Sequence, residues 1–503
     1  MTFEAALAAV RVGKNDVDAL DDLARAALQA GEERNALGWL RTAAEQGGPA
    51  LLWQWVGLLH RAVDEHEEAL DAFAKASALA PRDAGIAHGR ARVALEAGLD
   101  AVGLFLTARR LAPDDGGVIL GLAAARNAIG HGQLAADELA SALERSPAWL
   151  DGYEPLAQLL STLGERDRAT EQLERALLRF PRQETLWITL LKLDLRRENY
   201  PALQDDVERA AAAGVSSPVL APYRAIVAGE LGSESFPRAL FSDAPGASRD
   251  VLAIWRIRHL LRIGEVDAAI PEIDEALSLA QPAAVWPYAA TAWRLGEDKR
   301  REWLESHSAM IRIFDIQKDL PPINDLAGDL RKLHVARGEY LDQSVRGGTQ
   351  TDGPLLSRID PLIRALRSAI VSAVEQYKAE LPPPDPAHPL LRHRRDREVR
   401  FSGSWSVRLR SSGKHSNHVH PQGWISSALY ISLPEPTPAD PDDAGWFIVG
   451  QPPEDLGLQL AAWKKIEPRV GQLILFPSWM WHGTRPFAQG ERLTVAFDVR
   501  PPL

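Results

Sequence analysis

HSNHVHPQGWISSALYI at 415–431, GQLILFPSWMWHGTRPF at 471–487 and GERLTVAFDV at 490–499 are the stretches from which the rest of the chain is read. His418 and His420 are separated only by Val419, and on an extended strand a period of two turns both imidazoles to one face. The apolar run Leu473 to Phe476 ends at Pro477, and His482 follows just past Trp479 and Trp481, placed to offer a third imidazole. Arg492 opens a further strand whose alternation, Leu493, Val495 and Phe497 against Arg492, Thr494 and Asp498, reads as half-buried. A buried guanidinium needs an anion. Imidazole suits iron, copper, nickel or zinc, and three protein ligands leave coordination positions open for substrate or oxygen. The competing reading of H-x-H alone is a pair of polar surface side chains; the ordered set of H-x-H, His and Arg, with strands between, is what favours a metal centre beside an acid-bearing co-substrate.

The whole chain has 503 residues, long enough for two or more domains with sizeable cores. Its composition is that of an ordinary globular protein, 46% hydrophobic and 25% charged. A formal charge of -11 argues against a nucleic-acid or anionic-membrane binder, which would carry a basic stripe. There is no cysteine, so disulfides and thiolate metal sites are excluded and any metal falls to His, Asp or Glu. The opening MTFEAALAAVRVGKNDVDAL carries acids and no long apolar run, and no later stretch reaches membrane-spanning length, so a cytoplasmic location is expected.

Up to about residue 310 the sequence is rich in Ala and Leu with helical periodicity, and it repeats. Prolines at 81, 113, 147 and 181 fall 32, 34 and 34 residues apart. Five residues before each stand Ala76, Ala108, Ala142 and Ala176; twelve before stand Ala69, Ala101, Ala135 and Ala169. Small residues where paired helices cross, a large one between them (Phe73, Phe105, Leu139, Leu173) and a helix-stopping Pro are what a stacked helix-turn-helix unit requires. The segments resemble tetratricopeptide repeats over about 50–183, with Trp53, Gly57, Tyr153 and Trp187 near that family's early large-residue positions. Residues 184–213 read as a degenerate repeat and 250–300 as further helical pairs, while LGSESFPRALFSDAPGASR at 231–249 reads as an irregular loop. A solenoid of this kind offers a concave surface for a peptide or protein segment. The alternative uses are packing on the neighbouring domain or forming a homodimer. Trp53, Trp55, Tyr153 and Trp187 are expected in the inter-repeat core rather than in the groove.

Residues 311–503 form the second expected domain. INDLAGDLRKLHVARGEYLDQS continues amphipathic, VRGGTQTDGP reads as a loop, LLSRIDPLIRALRSAIVSAVEQYKAEL is a helix, and LPPPDPAHPLL is extended and proline-rich. A β core is expected over about 400–503, beginning with FSGSWSVRLRSSG and continuing with strands at 425–433, 445–450, 463–467, 472–476 and 492–499. Short strands with Pro and Gly between them favour a double-sheet jelly roll or a barrel.

This region resembles the 2-oxoglutarate and iron(II)-dependent oxygenase superfamily, and within it a bacterial and phage group often fused to tetratricopeptide repeats. The resemblance rests on DQSVRGGTQT at 342–351, HVHPQGWISSALYI at 418–431 and the two terminal stretches quoted above. It implies a double-stranded β-helix, iron(II) held by His418, His420 and His482, and Arg492 pairing the distal carboxylate of 2-oxoglutarate. Tyr430 corresponds to a residue that hydrogen-bonds the co-substrate, with Thr494 a further candidate. O2 would be consumed with the co-substrate, ascorbate is a candidate accessory reductant, and joining this resemblance to the repeats gives an oxygenase that hydroxylates a peptide or protein segment they present. The departure is His420, which stands where the usual triad has a carboxylate. Three neutral imidazoles leave the centre one unit more positive. That leaves open a working three-His oxygenase, a site in which His415 replaces one of the pair, or a site for another metal; Asp498, at the far end of its strand, is a further conceivable ligand. Two other functions stay open beside the 2-oxoglutarate oxygenase: a three-His dioxygenase in which Arg492 binds the substrate's own carboxylate, and a non-catalytic repeat scaffold.

Overall fold

The computed structural model describes residues 1–13, 16–232, 248–279, 282–305, 307–341, 344–438 and 440–502. Residues 233–247, most of the stretch read as an irregular loop, lie outside the described residues, as do residues 342–343.

Antiparallel helices stack from Phe3 to Glu305. Pairs such as Ala50–Ala62 with His66–Leu79, and Ala84–Glu96 with Val102–Leu111, follow the period read from the prolines. Every alanine of the two registers is buried, and so are Phe73, Phe105, Leu139 and Leu173. The close packing has a steric cause. A Cβ on Gly89 would lie 2.4 Å from the Phe73 ring and one on Gly57 2.6 Å from it, so two glycines make the slot that the ring fills. Trp53, Trp55, Tyr153 and Trp187 are buried in the stack, as expected. The degenerate repeat is a helix pair, Glu184–Arg196 and Tyr200–Ala212, and the 250–300 region supplies Ser248–Arg262, Val266–Leu277 and Trp286–Leu295.

Among the described residues the C-terminal part contains nine strands: β1 (Arg312–Asp315), β2 (Val345–Gln350), β3 (Phe401–His415), β4 (Ile425–Ser432), β5 (Phe447–Val449), β6 (Lys464–Ile466), β7 (Gln472–Pro477), β8 (His482–Thr484) and β9 (Arg492–Val499). They form two sheets, ordered β1-β7-β4-β9-β3-β2 and β6-β5-β8, with antiparallel pairing throughout. The sheets face each other, with Phe447 of β5 against Phe476 of β7 at 5.2 Å between ring centroids. This is an α-helical solenoid followed by an antiparallel two-sheet domain.

Two local readings need correction. VRGGTQTDGP is not simply a loop, because its first half is edge strand β2, paired to β3 with a bulge between Arg346 and Gly348. A Cβ on Gly348 would sit 2.5 Å from the Arg408 carbonyl oxygen, so the glycines that signal a loop are here the condition for close strand approach. Strand β9 is buried on both faces rather than one: Arg492, Thr494 and Asp498 are buried as well as Leu493, Val495 and Phe497. The latter face packs into a core shared with Ile363, Leu366, Ile370, Val374 and Tyr377 of the helix Pro361–Glu380, which covers the large sheet.

That core also runs back across residue 310 to include Ile257, Leu261, Ile273 and Trp293, so the last helix pairs and the sheets pack as one body. The earlier repeats meet the sheet domain differently, through the turns between paired helices. Arg397 and Arg400 pair with Glu32 and Glu33. Arg364 and Arg367 reach Glu67 and Asp64 at 2.6 and 3.3 Å. Ile359 N–H donates to the Ala97 carbonyl, and the N–H groups of Arg337 and Gly338 donate to that of Thr162. One edge of the solenoid is therefore occupied by the chain's own second domain.

Candidate metal centre

The backbone brings the three histidines together before their side chains do. His418 and His482 exchange both N–H···O bonds at 3.0 Å, an isolated antiparallel bridge, and His420 N–H donates to the Ser478 carbonyl at 2.9 Å. The 418–420 segment thus lies beside the turn from β7 into β8. The imidazole centroids are 4.2 Å (418–482), 4.9 Å (418–420) and 5.1 Å (420–482) apart.

Each ring is fixed from behind through Nδ1. His418 Nδ1 lies 2.8 Å from the Ser416 carbonyl, His482 Nδ1 2.9 Å from the Met480 carbonyl, and His420 Nδ1 2.6 Å from Asp498 Oδ2. Carbonyl and carboxylate oxygens accept, so the network assigns the proton of each ring to Nδ1 and makes Nε2 the lone-pair nitrogen, unpartnered on His420 and facing the Ser344 hydroxyl on His418. One ring nitrogen of each histidine lies within 4.8 Å of the others, and among the described residues this is the one cluster of His and acidic side chains arranged to hold a metal. The electrostatics agree with neutral rings. Burial first, then the neighbouring imidazoles, hold His418 and His482 well below the usual histidine range. Burial, with the Arg492 charge, holds His415 at about 3. His415 stays outside the cluster, its Nδ1 linked to Ser344 Oγ at 3.1 Å, the same hydroxyl that lies 3.1 Å from His418 Nε2.

A small cavity opens beside the imidazoles between the two sheets. Because Tyr430 pairs with Thr494 and Val407 with Thr494 across adjacent strands, their side chains share the face that carries Arg492. Arg492 is 3% exposed and sits 4.9 Å over the Tyr430 ring. Its Nη1 donates to the Gly445 carbonyl at 3.1 Å, while its Nε has no partner. The Tyr430 hydroxyl, on a fully buried residue, is also unpartnered, as is His420 Nε2. Buried polar atoms without partners are costly, and here three of them accompany one metal-type cluster. Burial lowers the Arg492 guanidinium and raises the Tyr430 phenol. Neither the acid just before β9 nor the acid at its far end neutralises Arg492. Glu491 pairs with Arg331 at 2.7 Å and Arg408 at 2.5 Å, and Asp498 with His420.

Residues 403–498 match the family model described as "Putative 2OG-Fe(II) oxygenase". The matched segment holds all three histidines, Tyr430, Arg492 and Thr494. Among solved structures the chain is similar to YrrB, described as a TPR protein with an unusual peptide-binding site, at 19% identity over 37% of this chain and 97% of that one, with a TM-score of 0.29. It is also similar to a tetratricopeptide repeat protein from Parabacteroides merdae, at 17% identity over 44% and 89% of the two chains, with a TM-score of 0.32. No curated protein matches the chain. No described helix is long and apolar enough to cross a membrane.

The cavity beside the histidines continues outward into a cleft of about 520 Å³ bounded on one side by the solenoid. His415, His418 and Thr484 line both spaces. Across the cleft, the Trp481 indole donates to the Pro287 carbonyl and lies 3.1 Å from Thr291 Oγ1, while Tyr288 meets its ring edge-on. The wall contributed by the repeats, including Glu198, Arg258 and Tyr288, had no signal in the sequence, because its residues are unremarkable on their own helices and become a wall only through docking.

Proposed function

We propose that the chain is an iron(II)- and 2-oxoglutarate-dependent oxygenase that oxidises a peptide or protein segment entering through the cleft between the repeats and the sheets. The observation that carries this reading is the conjunction of three clustered imidazoles, each anchored through Nδ1, with a buried, unneutralised Arg492 on one cavity wall. In it, His418, His420 and His482 hold iron(II) through Nε2, and Arg492, Tyr430 and Thr494 receive the co-substrate's distal carboxylate. The bound metal would supply O2 activation. The residues of the chain bind and orient: Arg492 offers a planar fork for a carboxylate, Tyr430 a hydroxyl donor, and the burial of both excludes water that would weaken each contact. An all-imidazole set lacks the ligand charge that helps retain iron, and it favours a dianionic partner for the same reason. The cleft lining mixes Arg346, Lys414 and Arg485 with Glu198, Glu454 and Asp455, which supports a polar polypeptide rather than a polyanion.

Anaerobic titration of 2-oxoglutarate into iron-loaded protein, followed by the metal-to-ligand absorption, tests the reading. Arg492→Ala is expected to lose on the order of 2 to 5 kcal/mol of co-substrate binding with iron retained. Arg492→Lys should lose less, and Tyr430→Phe about 1 kcal/mol. His482→Ala should lose the iron itself. Absence of binding to the unmodified protein would overturn the 2-oxoglutarate assignment. The three-imidazole set itself favours one competing reading, a dioxygenase that places its substrate's own carboxylate on Arg492. Oxygen uptake that is independent of 2-oxoglutarate would select it.

A further inference from the structure

Asp498 does not join the three imidazoles; its carboxylate stands directly behind one of them. We propose that Asp498 supplies, through the His420 ring, the negative charge that a three-imidazole centre lacks, an inference that rests on the metal-binding reading above. The three Nδ1 acceptors differ in kind. His418 and His482 donate to neutral backbone carbonyls, whereas His420 donates to a carboxylate at 2.6 Å. A carboxylate in that position draws the Nδ1 proton toward itself and raises the electron density at Nε2, which makes His420 the strongest donor of the set.

The carboxylate is built in, not incidental. It is buried, and its other oxygen accepts from Ser426 Oγ at 2.5 Å, a hydroxyl that is itself 2.9 Å from Ser478 Oγ. Gly423 closes over this group, where a Cβ would lie 2.6 Å from Ser478 Oγ and 3.2 Å from Asp498 Cβ. On the other side the Trp405 ring stacks on His420, with centroids 5.5 Å apart and planes 12° from parallel. Among the described residues, the basic side chain within reach of the Asp498 carboxylate is the His420 ring. Arg492 lies on the same face of β9 but six residues away, about 20 Å along the strand, too far to neutralise it. The strand therefore carries a cation at one end for the co-substrate and an anion at the other for the metal. Asp498 is a positioning residue, acting on the metal only through His420.

The test is metal affinity rather than turnover. With Co(II) as the probe, measured by competition against a chelator under anaerobic conditions, Asp498→Asn keeps an acceptor for the Nδ1 proton but removes the charge, and it is expected to weaken binding roughly 10- to 100-fold. Moving the charge should restore the loss: Asp498→Asn combined with His420→Asp puts a carboxylate directly at the ligand position, and its affinity should return to within a few-fold of the original. A purely structural Asp498 would lower the unfolding midpoint of the metal-free protein, leave the affinity of the folded single variant unchanged and show no restoration in the double variant; that result overturns the inference. A second measurement needs no substitution. In the Zn(II)-loaded full chain, labelled at histidine nitrogen, one Nδ1 proton should resonate well downfield of the other two, and three clustered resonances would overturn the assignment. Failure of the unmodified protein to bind any divalent ion would instead sink the metal centre, and the role of Asp498 with it.

Discussion

Arg258 in the solenoid and Arg492 on β9 are both buried guanidiniums, and they are satisfied in opposite ways. Arg258 donates to both oxygens of Glu230 at 3.0 and 3.2 Å, to Tyr288 Oη at 3.2 Å and to Asp455 at 2.5 Å. Arg492 has a single backbone carbonyl and the face of Tyr430. A saturated buried cation is part of the architecture; an unsaturated one, in a cavity, waits for an anion from outside. The same contrast separates the two regions more widely. Solenoid charges meet across the turns, as in Arg61 with Glu96 at 2.6 Å, whereas at the histidine cavity Arg492 Nε and His420 Nε2 have no partner.

Removing the saturated guanidinium has the largest expected effect. Arg258→Ala leaves the buried Glu230 with Arg262 as its remaining partner, so unfolding in denaturant should show a loss of about 3 kcal/mol, the low end for breaking a buried pair. Co-substrate binding by the folded fraction should be unchanged. A variant as stable as the parent would mean that the saturated pair is no structural element.

Acidification comes next. Burial holds His334 at about 4, and in the unfolded chain it would titrate near 6.5. Between those values the unfolded state binds a proton that the folded state refuses, so stability is full above about 6.5 and falls as pH drops toward 4. For His334 alone the loss is on the order of 2 kcal/mol at pH 5. His415, His418 and His482 are shifted the same way and add to it in metal-free protein. Thermal scans from pH 7 to 4 check the sign, and a midpoint that stays level down to pH 5 would mean that these rings carry protons in the fold.

The smallest effect sharpens the contrast. Arg492→Leu removes a buried charge without orphaning an acid, so the ligand-free protein should gain on the order of 1 kcal/mol even as co-substrate binding is lost. A fall in stability instead would reveal a structural role for Arg492.

What could be read in the sequence followed from local geometry. The alanine registers and Phe73 were legible because helices that cross closely admit only small residues at fixed offsets. His418, His420, His482 and Arg492 were legible because few other arrangements use those types in that order. Strand β2 was not: Gly347 and Gly348 carry a loop signal, and only the partner strand shows why glycine is needed there. The burial of both faces of β9 was hidden because one face holds polar residues whose partners lie on other strands or outside the chain. The docking edge was invisible, since Glu32 and Arg397 are 365 positions apart and neither is unusual alone.

That separation has a bearing on synthesis. At roughly 5 to 20 residues per second, the first turn of the solenoid leaves the ribosome some 20 to 70 seconds before the arginine that will hold it. An edge that must wait so long is better made of carboxylates, guanidiniums and backbone carbonyls, which water solvates, than of apolar side chains, which other nascent chains would capture. The molecule is arranged accordingly: the helix pairs that share the apolar core with the sheets, from Ala253 to Leu304, are those made nearest in time to the sheets themselves, while the early repeats dock through polar turns.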